Sequence, residues 1–283
     1  MTYEPQTVVN PDVGWHGKLN LVYADRLNST KLIYNHHQAP LKVQRPFYPE
    51  GDKVCHSVIL HTAGGIVGGD RLSCNFHLQP NTQALITTAA ASKIYRSNGL
   101  QAQQNINIQV DDGACLEYLP QETIIFKGAN YRQDLRVELA TGSSFLGWEI
   151  NRFGRSARGE KFDLGEWRSH TEIWQQGVPL WIDRQWLLGS EETFHSPHGL
   201  FGKPIVGTFV WVGSVVTTEI VNNARNLAVG AGEIGVTQLQ NGFLCRYRGS
   251  STSEVRNWFT AVWQLLRKSF GNRGNFTPRV WQV

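Results

Sequence analysis

Two glycine-rich segments and a scatter of histidines and carboxylates are where this chain carries residue types suited to chemistry. Gly230-Ala231-Gly232-Glu233-Ile234-Gly235 has the spacing of a dinucleotide-binding loop, with Glu254 further along. That fingerprint works only where a helix follows, because the free N–H groups of a helix N-terminus hold the pyrophosphate. Val236 to Arg248 reads instead as strand, Asn241-Gly242 turn and strand, so the segment is expected to be a glycine-rich turn. The second segment, Gly64-Gly65-Ile66-Val67-Gly68-Gly69-Asp70, ends in Gly-Asp-Arg where a phosphate loop has Gly-Lys-Ser/Thr, and Asp70 would repel a phosphate. Four glycines around two β-branched residues cost backbone entropy and must answer a geometric need. Two readings fit: tight turns with Asp70 accepting backbone N–H groups, or a close-approach loop that presents a carboxylate.

Gly154-Arg155-Ser156-Ala157-Arg158-Gly159 is one residue too long for the strained turn that exposes a nucleophilic serine, and two arginines flank the serine. Asp111 with Asp112, or Glu117 with Glu122, have the types for acid and base in glycoside hydrolysis, but that chemistry depends on a separation in space. The nine histidines include His36-His37, His56 with His61, and His195 with His198. None has a zinc spacing, His195 and His198 read as part of a Ser-Pro loop, and no Cys-x-x-Cys occurs, which argues against a preformed metal cage. A few His, Asp or Glu groups can still hand a borderline ion such as nickel between weak sites. Arg152, Arg155 and Arg158 precede Glu160 and Lys161; a buried Glu160 would need those arginines as partners.

A mainly β framework must position these groups. With 41% hydrophobic and 18% charged residues, the 283-residue chain is neither disordered nor a coiled coil. Its 28 glycines, 13 phenylalanines and 10 tryptophans beside a single methionine suit turns and packed sheet. A net charge of +4 without clustered Lys and Arg does not resemble a nucleic-acid footprint, and no nucleic-acid partner is expected; 18 of the 27 cations are Arg, the better partner for carboxylates at packed surfaces. Cys55, Cys74, Cys115 and Cys245 are dispersed in a large chain and are expected to be reduced thiols. The first residues lack the pattern of a signal peptide, and the most apolar run, Phe209 to Val216, is too short for a membrane helix, so a cytoplasmic protein is expected.

Period-two alternation at Ile106, Ile108 and Val110, and at Leu135, Val137 and Leu139, predicts half-buried strands separated by turns such as Asp111-Asp112-Gly113 and Gln240-Asn241-Gly242. No fixed period marks a regular solenoid, so any coiling must be irregular. Helical spacing of Val255, Trp258, Phe259, Val262, Leu265 and Leu266 predicts a helix over about 252–270. Ser251 and Glu254 form its capping box, Arg267 and Lys268 face its dipole, and Gly271 takes the left-handed stop. A second helix over 88–95 is favoured by Ala89-Ala90-Ala91, although the same residues permit a strand. Continuous patterning without a linker predicts one domain over 1–283.

The run His61-Thr62-Ala63-Gly64-Gly65-Ile66-Val67-Gly68-Gly69-Asp70, followed by Thr87-Thr88-Ala89-Ala90-Ala91-Ser92-Lys93-Ile94-Tyr95-Arg96-Ser97, resembles the signature of the urease accessory protein UreD family, called UreH in some bacteria. Pro40 to Phe47, Leu119-Pro120-Gln121-Glu122, Gly154-Arg155 with Gly159-Glu160, and Pro278-Arg279-Val280-Trp281 look like further landmarks in family order. Ala63 stands where the family often has proline. The resemblance implies a non-enzymatic scaffold with an irregular β-helicoid fold, binding urease apoprotein and the accessory proteins UreF and UreG. It also implies nickel in transit through an internal passage, with no tightly bound cofactor.

At matched motifs it singles out Gly64, Gly65, Gly68, Gly69 and Asp70, then Lys93, Tyr95 and Arg96, then Gln121, Arg155 and Glu160. Asp70 and Glu160 are expected to line the passage and guide the cation, with Arg155 and Arg158 holding Glu160. The alternatives are a carbohydrate-active β-solenoid enzyme, which would need an exposed carboxylate pair in an aromatic cleft, and a generic β-rich protein-binding module.

Overall fold

Alternation of apolar and polar side chains folds the chain as stacked coils. The computed structural model describes residues 14–270 and 276–281; the N-terminal residues read for a targeting signal and Gly271 lie outside them. The described chain enters as β1 (His16–Asp25), β2 (Thr30–Gln38) and β3 (Leu41–Val43). Four coils follow, each running along one sheet and back along the other. The first joins β4 (Val54–His61) to β5 (Arg71–Leu78). The second joins β6 (Gln83–Thr88) through the short β7 (Ser92–Ile94) to β8 (Ala102–Val110), and the third joins β9 (Cys115–Leu119) through β10 (Thr123–Ile125) to β11 (Asn130–Leu139). The fourth joins β12 (Ser144–Phe153) to β13 (Glu166–Gln175). Then come β14 (Val178–Leu188), α1 (Glu191–His195), β15 (Ile205–Val212), α2 (Thr218–Arg225), β16 (Glu233–Leu239), β17 (Gly242–Gly249) and α3 (Thr252–Phe270).

The first sheet has the order β14-β13-β11-β8-β5-β1-β2, and the second β16-β17-β15-β12-β9-β6-β4-β3. The coil strands are parallel within each sheet, and antiparallel strands close the edges. Cys74 pairs with Ile106, Ile106 with Leu135 and Leu135 with Thr171, so successive coils differ in length, as the lack of a fixed period required. The difference is taken up on a third, short side, where Ile66, Ile94, Ile125 and Phe153 stack in register, each 2% exposed or less. The fold is therefore mainly β and solenoid-like, with a C-terminal helix as expected. Among the described residues no helix is long and apolar enough to cross a membrane, and no disulfide joins the four cysteines.

Two elements differ from the sequence reading. Residues 88–95 form no helix: β6 ends at Thr88 and β7 begins at Ser92, because the parallel ladder supplies hydrogen bonds that outweigh alanine's helical preference. His195 ends the short α1, capped by Ser190, rather than lying in a loop. At Asn241-Gly242 the hairpin between β16 and β17 is as predicted. The Gly230–Gly235 segment is a turn leading into β16, and Gly232 and Ala231 donate their N–H groups to Glu254. Ser251 caps the helix through the Glu254 N–H, but Glu254 turns to this glycine turn instead of completing the capping box.

One hydrophobic cluster fills the space between the sheets, and a second lies between the second sheet and α2 and α3. Val255, Trp258, Phe259, Val262, Trp263 and Leu266 form the buried face of α3, while Leu265 is only half-buried. Arg267 stands in the last turn of α3 as expected; it is 4% exposed, and its side chain reaches both Glu117 (2.9 Å) and Glu50 (2.6 Å). Trp263 donates to Glu117 as well, and His56 contacts Glu50 at 2.7 Å. Trp281 packs against Trp148 and Trp263 and donates to Thr87 Oγ1, tying the terminal motif onto the same face.

Removing one member of such a buried set strands the others, so Arg267→Met should cost about 3–5 kcal/mol in urea unfolding. Burial alone would raise the Glu50 carboxyl, but hydrogen bonds from His56 and Arg267 outweigh it and hold it at about 2, below the ordinary 4.5. A folded value below the unfolded one contributes stability that is full above about pH 4.5 and is lost as the pH falls toward 2. Glu50→Gln should flatten that part of the urea-midpoint profile against pH.

Candidate functional site

The third side gathers most of the motif residues. The Gly64–Asp70 loop enters it as the first rung, and the Ile66 N–H donates to the Lys93 carbonyl. A side chain at Gly65 would sit 2.5 Å from the Tyr95 ring and 2.7 Å from the Lys93 carbonyl, and one at Gly68 would strike Ser97 and Leu100. Gly69 has φ +95°, a conformation glycine adopts without strain. The glycine count in this loop thus answers close packing against the next coil.

Asp70 is 3% exposed; its Oδ1 accepts the Trp15 N–H at 2.8 Å and its Oδ2 the Val67 N–H at 2.9 Å. Tyr95 donates to the Gly64 carbonyl and packs edge-on against Phe126, over which the Arg155 guanidinium lies at 4.4 Å. Arg155 pairs with Glu160, whose Oε1 also accepts the Lys127 N–H. Burial pushes the Glu160 carboxyl up, but the Arg155 hydrogen bond and the Lys127 N–H bring it below the usual range. Arg155 is the brace that the arginine run led us to expect; Arg158 is exposed and donates only its backbone N–H, to the Arg155 carbonyl. Arg96 lies against Gly128 of the following coil.

Behind this side, two adjoining cavities enter the space between the sheets. The outer one, about 430 Å³, is bounded by Gly64, Gly65, Ala89–Ala91, Lys93 and His61, and its rim residues Gly64, Ala90 and Lys93 are exposed. It exists because the corner residues there are glycine and alanine. His61 Nδ1 is 3.1 Å from the Ala63 carbonyl, and its buried Nε2 has no hydrogen-bond partner among the described residues.

The inner cavity, about 50 Å³, shares Thr88, Ser92, Gln104 and Tyr118 with the outer one and extends to Gln121, Gln133, Glu149, Asp183 and Thr208. It has room for an ion and a few water-sized groups. The Leu119–Glu122 motif opens it: β12 pairs with β9 up to Gly147 and with β10 from Asn151, leaving Pro120 and Gln121 as a corner. Trp148 donates to the Pro120 carbonyl and the Gln121 N–H donates to Thr88, which fixes that corner.

Glu149 projects from the second sheet toward the first. Its Oε2 accepts Ser169 Oγ–H at 2.8 Å and its Oε1 accepts Asn151 at 2.6 Å. Burial raises the Glu149 carboxyl above the ordinary range, against the opposing pull of these two hydrogen bonds. Asp183 accepts Gln185 and Arg246, each at 2.7 Å. Oxygen donors of this kind attract a divalent cation yet bind it loosely; Gln104, Gln121 and Gln133 line the same cavity, with the side-chain oxygens of Gln104 and Gln133 accepting the Tyr131 hydroxyl.

Of the motif residues, Gly64, Gly65, Lys93 and Gln121 line the cavities; Asp70, Glu160, Tyr95, Arg96 and Arg155 form the outer wall. Sequence reasoning passed over Glu149 and Asp183. Their signal is phase: Phe145, Gly147, Glu149 and Asn151 share one face of a strand, as do Tyr131, Gln133, Leu135 and Val137, so the polar members occur at inward positions. The carboxylates weighed for sugar hydrolysis are otherwise engaged, Glu117 with Arg267, Glu122 with Arg256 and Asp111 with His77.

Fold and cavities together define a β-solenoid whose outer wall is pinned by motif residues and whose apolar interior holds a cavity with polar residues in its lining. The chain belongs to the urease accessory protein UreD family: the family model described as UreD urease accessory protein matches residues 16–282. Urease accessory protein UreD of a Nostoc species is 77% identical over 99% of both chains. The protein of that name from Acaryochloris marina is 56% identical over 95% of this chain and 96% of its own, and that from a Synechocystis species 42% over 92% and 98%. The chain is thus related along its whole length to urease accessory proteins.

The packing of the third side is testable by glycine substitution. Gly65→Ala should cost about 1–3 kcal/mol, because its Cβ meets a ring and a carbonyl, neither free to move. Gly235→Ala, with nothing within 4 Å of its Cβ, should stay within about 0.5 kcal/mol of the parent in the same denaturation assay.

Proposed function

We propose that this chain is a non-enzymatic scaffold of urease maturation that binds urease apoprotein and the UreF–UreG accessory complex in the cytoplasm. Nickel passes through it toward the urease active site and is held only in transit. The observation that carries this reading is the pair of half-buried carboxylates, Glu149 and Asp183, on one of two adjoining cavities. Burying a carboxylate is costly, and a chain that needed only a packed core would hold apolar residues there. Carboxylate and amide oxygens favour entry of a dication while remaining weak enough to release it. The family membership supports the urease side of the reading.

Asp70 and Glu160 stand in the outer wall, where their charge acts on the ion at a distance while their hydrogen bonds hold the wall in place. Asp70→Asn and Glu160→Gln are therefore expected to lower nickel loading less than Glu149→Gln does.

The test is co-expression of urease subunits with the other accessory proteins, with and without this chain, and nickel counted per urease by mass spectrometry. Omitting the chain should leave urease largely without nickel; full loading in its absence would sink the proposal. Glu149→Gln keeps the side chain's shape and should reduce loading by about tenfold, with unfolding midpoint and partner pull-down unchanged.

A further inference from the structure

Arg246 is a permanent cation set against the wall of a cavity read above as a cation path. From β17 it reaches Asp183 and Thr208, which with Trp181 line one end of the inner cavity, and it stands behind that lining. Nη2 donates to Asp183 Oδ1 at 2.7 Å and Nη1 to Thr208 Oγ1 at 2.6 Å, and the guanidinium lies 5.7 Å from the Trp181 ring centroid. Asp183 Oδ2 accepts Gln185, so both of its oxygens are engaged. The Arg246 side chain is 36% exposed and that of Asp183 16%, so the arginine is the more exposed partner of the pair.

A guanidinium beside Asp183 would oppose a cation if it did nothing else. Its partner, however, is the group a nickel ion would use. A dication arriving at Asp183 outcompetes a monovalent guanidinium for the carboxylate, and the flexible, half-exposed arginine can swing toward solvent. Competition from the arginine lowers the net affinity of Asp183 for the dication, and the ion pair reforms as the ion leaves. No bond to carbon changes; one electrostatic partner of a carboxylate is exchanged for another.

We propose that Arg246 is the release group of the passage: it occupies Asp183 between transfers and, by competing for that carboxylate, keeps the divalent cation bound there weakly enough to leave. This rests on the nickel-transit reading, but it concerns the off-step, and its signature differs from that of a structural brace. Without the competing charge, Asp183 should hold nickel longer. Binding and delivery then change in opposite directions.

The experiment uses the full chain and two readouts. Nickel affinity is measured with radioactive nickel by equilibrium dialysis, and delivery as nickel per urease in the co-expression assay. Arg246→Gln should bind nickel at least about threefold more tightly, from the loss of one partly exposed ion pair, yet load urease less fully. Arg246→Lys, which keeps a positive charge, should restore both values toward the parent. Asp183→Asn should weaken both binding and delivery.

If Arg246→Gln lowers binding and delivery together with its unfolding midpoint, the residue is a brace and the proposal is overturned. Arg246→Gln identical to the parent in both readouts, with loading still lost in Glu149→Gln, overturns the release role and leaves the transit reading standing. Full loading in Glu149→Gln and Asp183→Asn removes the transit reading itself, and the release role with it.

Discussion

The parallel register that stacks each coil on the one before it is the constraint on which the remaining features depend. In a parallel ladder a residue lies beside its counterpart in the next coil at the same depth. Leu72, Gln104, Gln133, Ser169 and Gln185 form one such inward row, and Cys74, Ile106, Leu135, Thr171 and Asp183 the next. Both rows begin apolar and become polar along the chain. The stack therefore turns a few polar substitutions into a lined interior, with Glu149 facing them from the opposite sheet and bonded to Ser169 across the gap.

An interior of this kind must be enclosed without being filled. The corners do this with small residues: Gly64, Gly65 and the alanine run leave the outer cavity open, while Gly68 and Gly69 let the loop close tightly on the next coil. Arginines then fix the parts against each other. Arg155 holds Glu160 on the third side, Arg246 holds Asp183 at the inner cavity, and Arg256 and Arg267 join α3 to carboxylates far away in sequence. The preference for Arg over Lys follows, since a planar fork can engage two acceptors while its stem packs against apolar neighbours.

Much of this was legible in the residues. The alternation around Ile106 and Leu135, the Asn-Gly hairpin and the periodic face of α3 marked the strands, a turn and the helix, because each is a local pattern set by one element's own packing. The Arg155–Glu160 pair was foreseen from charge proximity five residues apart. Residues 88–95 were ambiguous because alanine's helical preference is local, whereas the ladder that overrides it comes from Ile66 and Glu122. The Arg267 network joins positions 150 and 217 residues apart, beyond any local pattern. Glu149 and Asp183 lay between these cases: their phase placed them inward, but only the stacked register shows that inward polar positions from different coils meet.

The claim that the polar interior receives nickel is tested most directly by anomalous diffraction at the nickel absorption edge, on crystals of the full chain equilibrated with the ion. The account predicts an anomalous peak between the sheets, in contact with the Glu149 or Asp183 carboxylate and lost in the Glu149→Gln, Asp183→Asn double variant. Nickel found only on the outer surface, at His36 and His37 or along the exposed face of the first sheet, with none between the sheets, would contradict it.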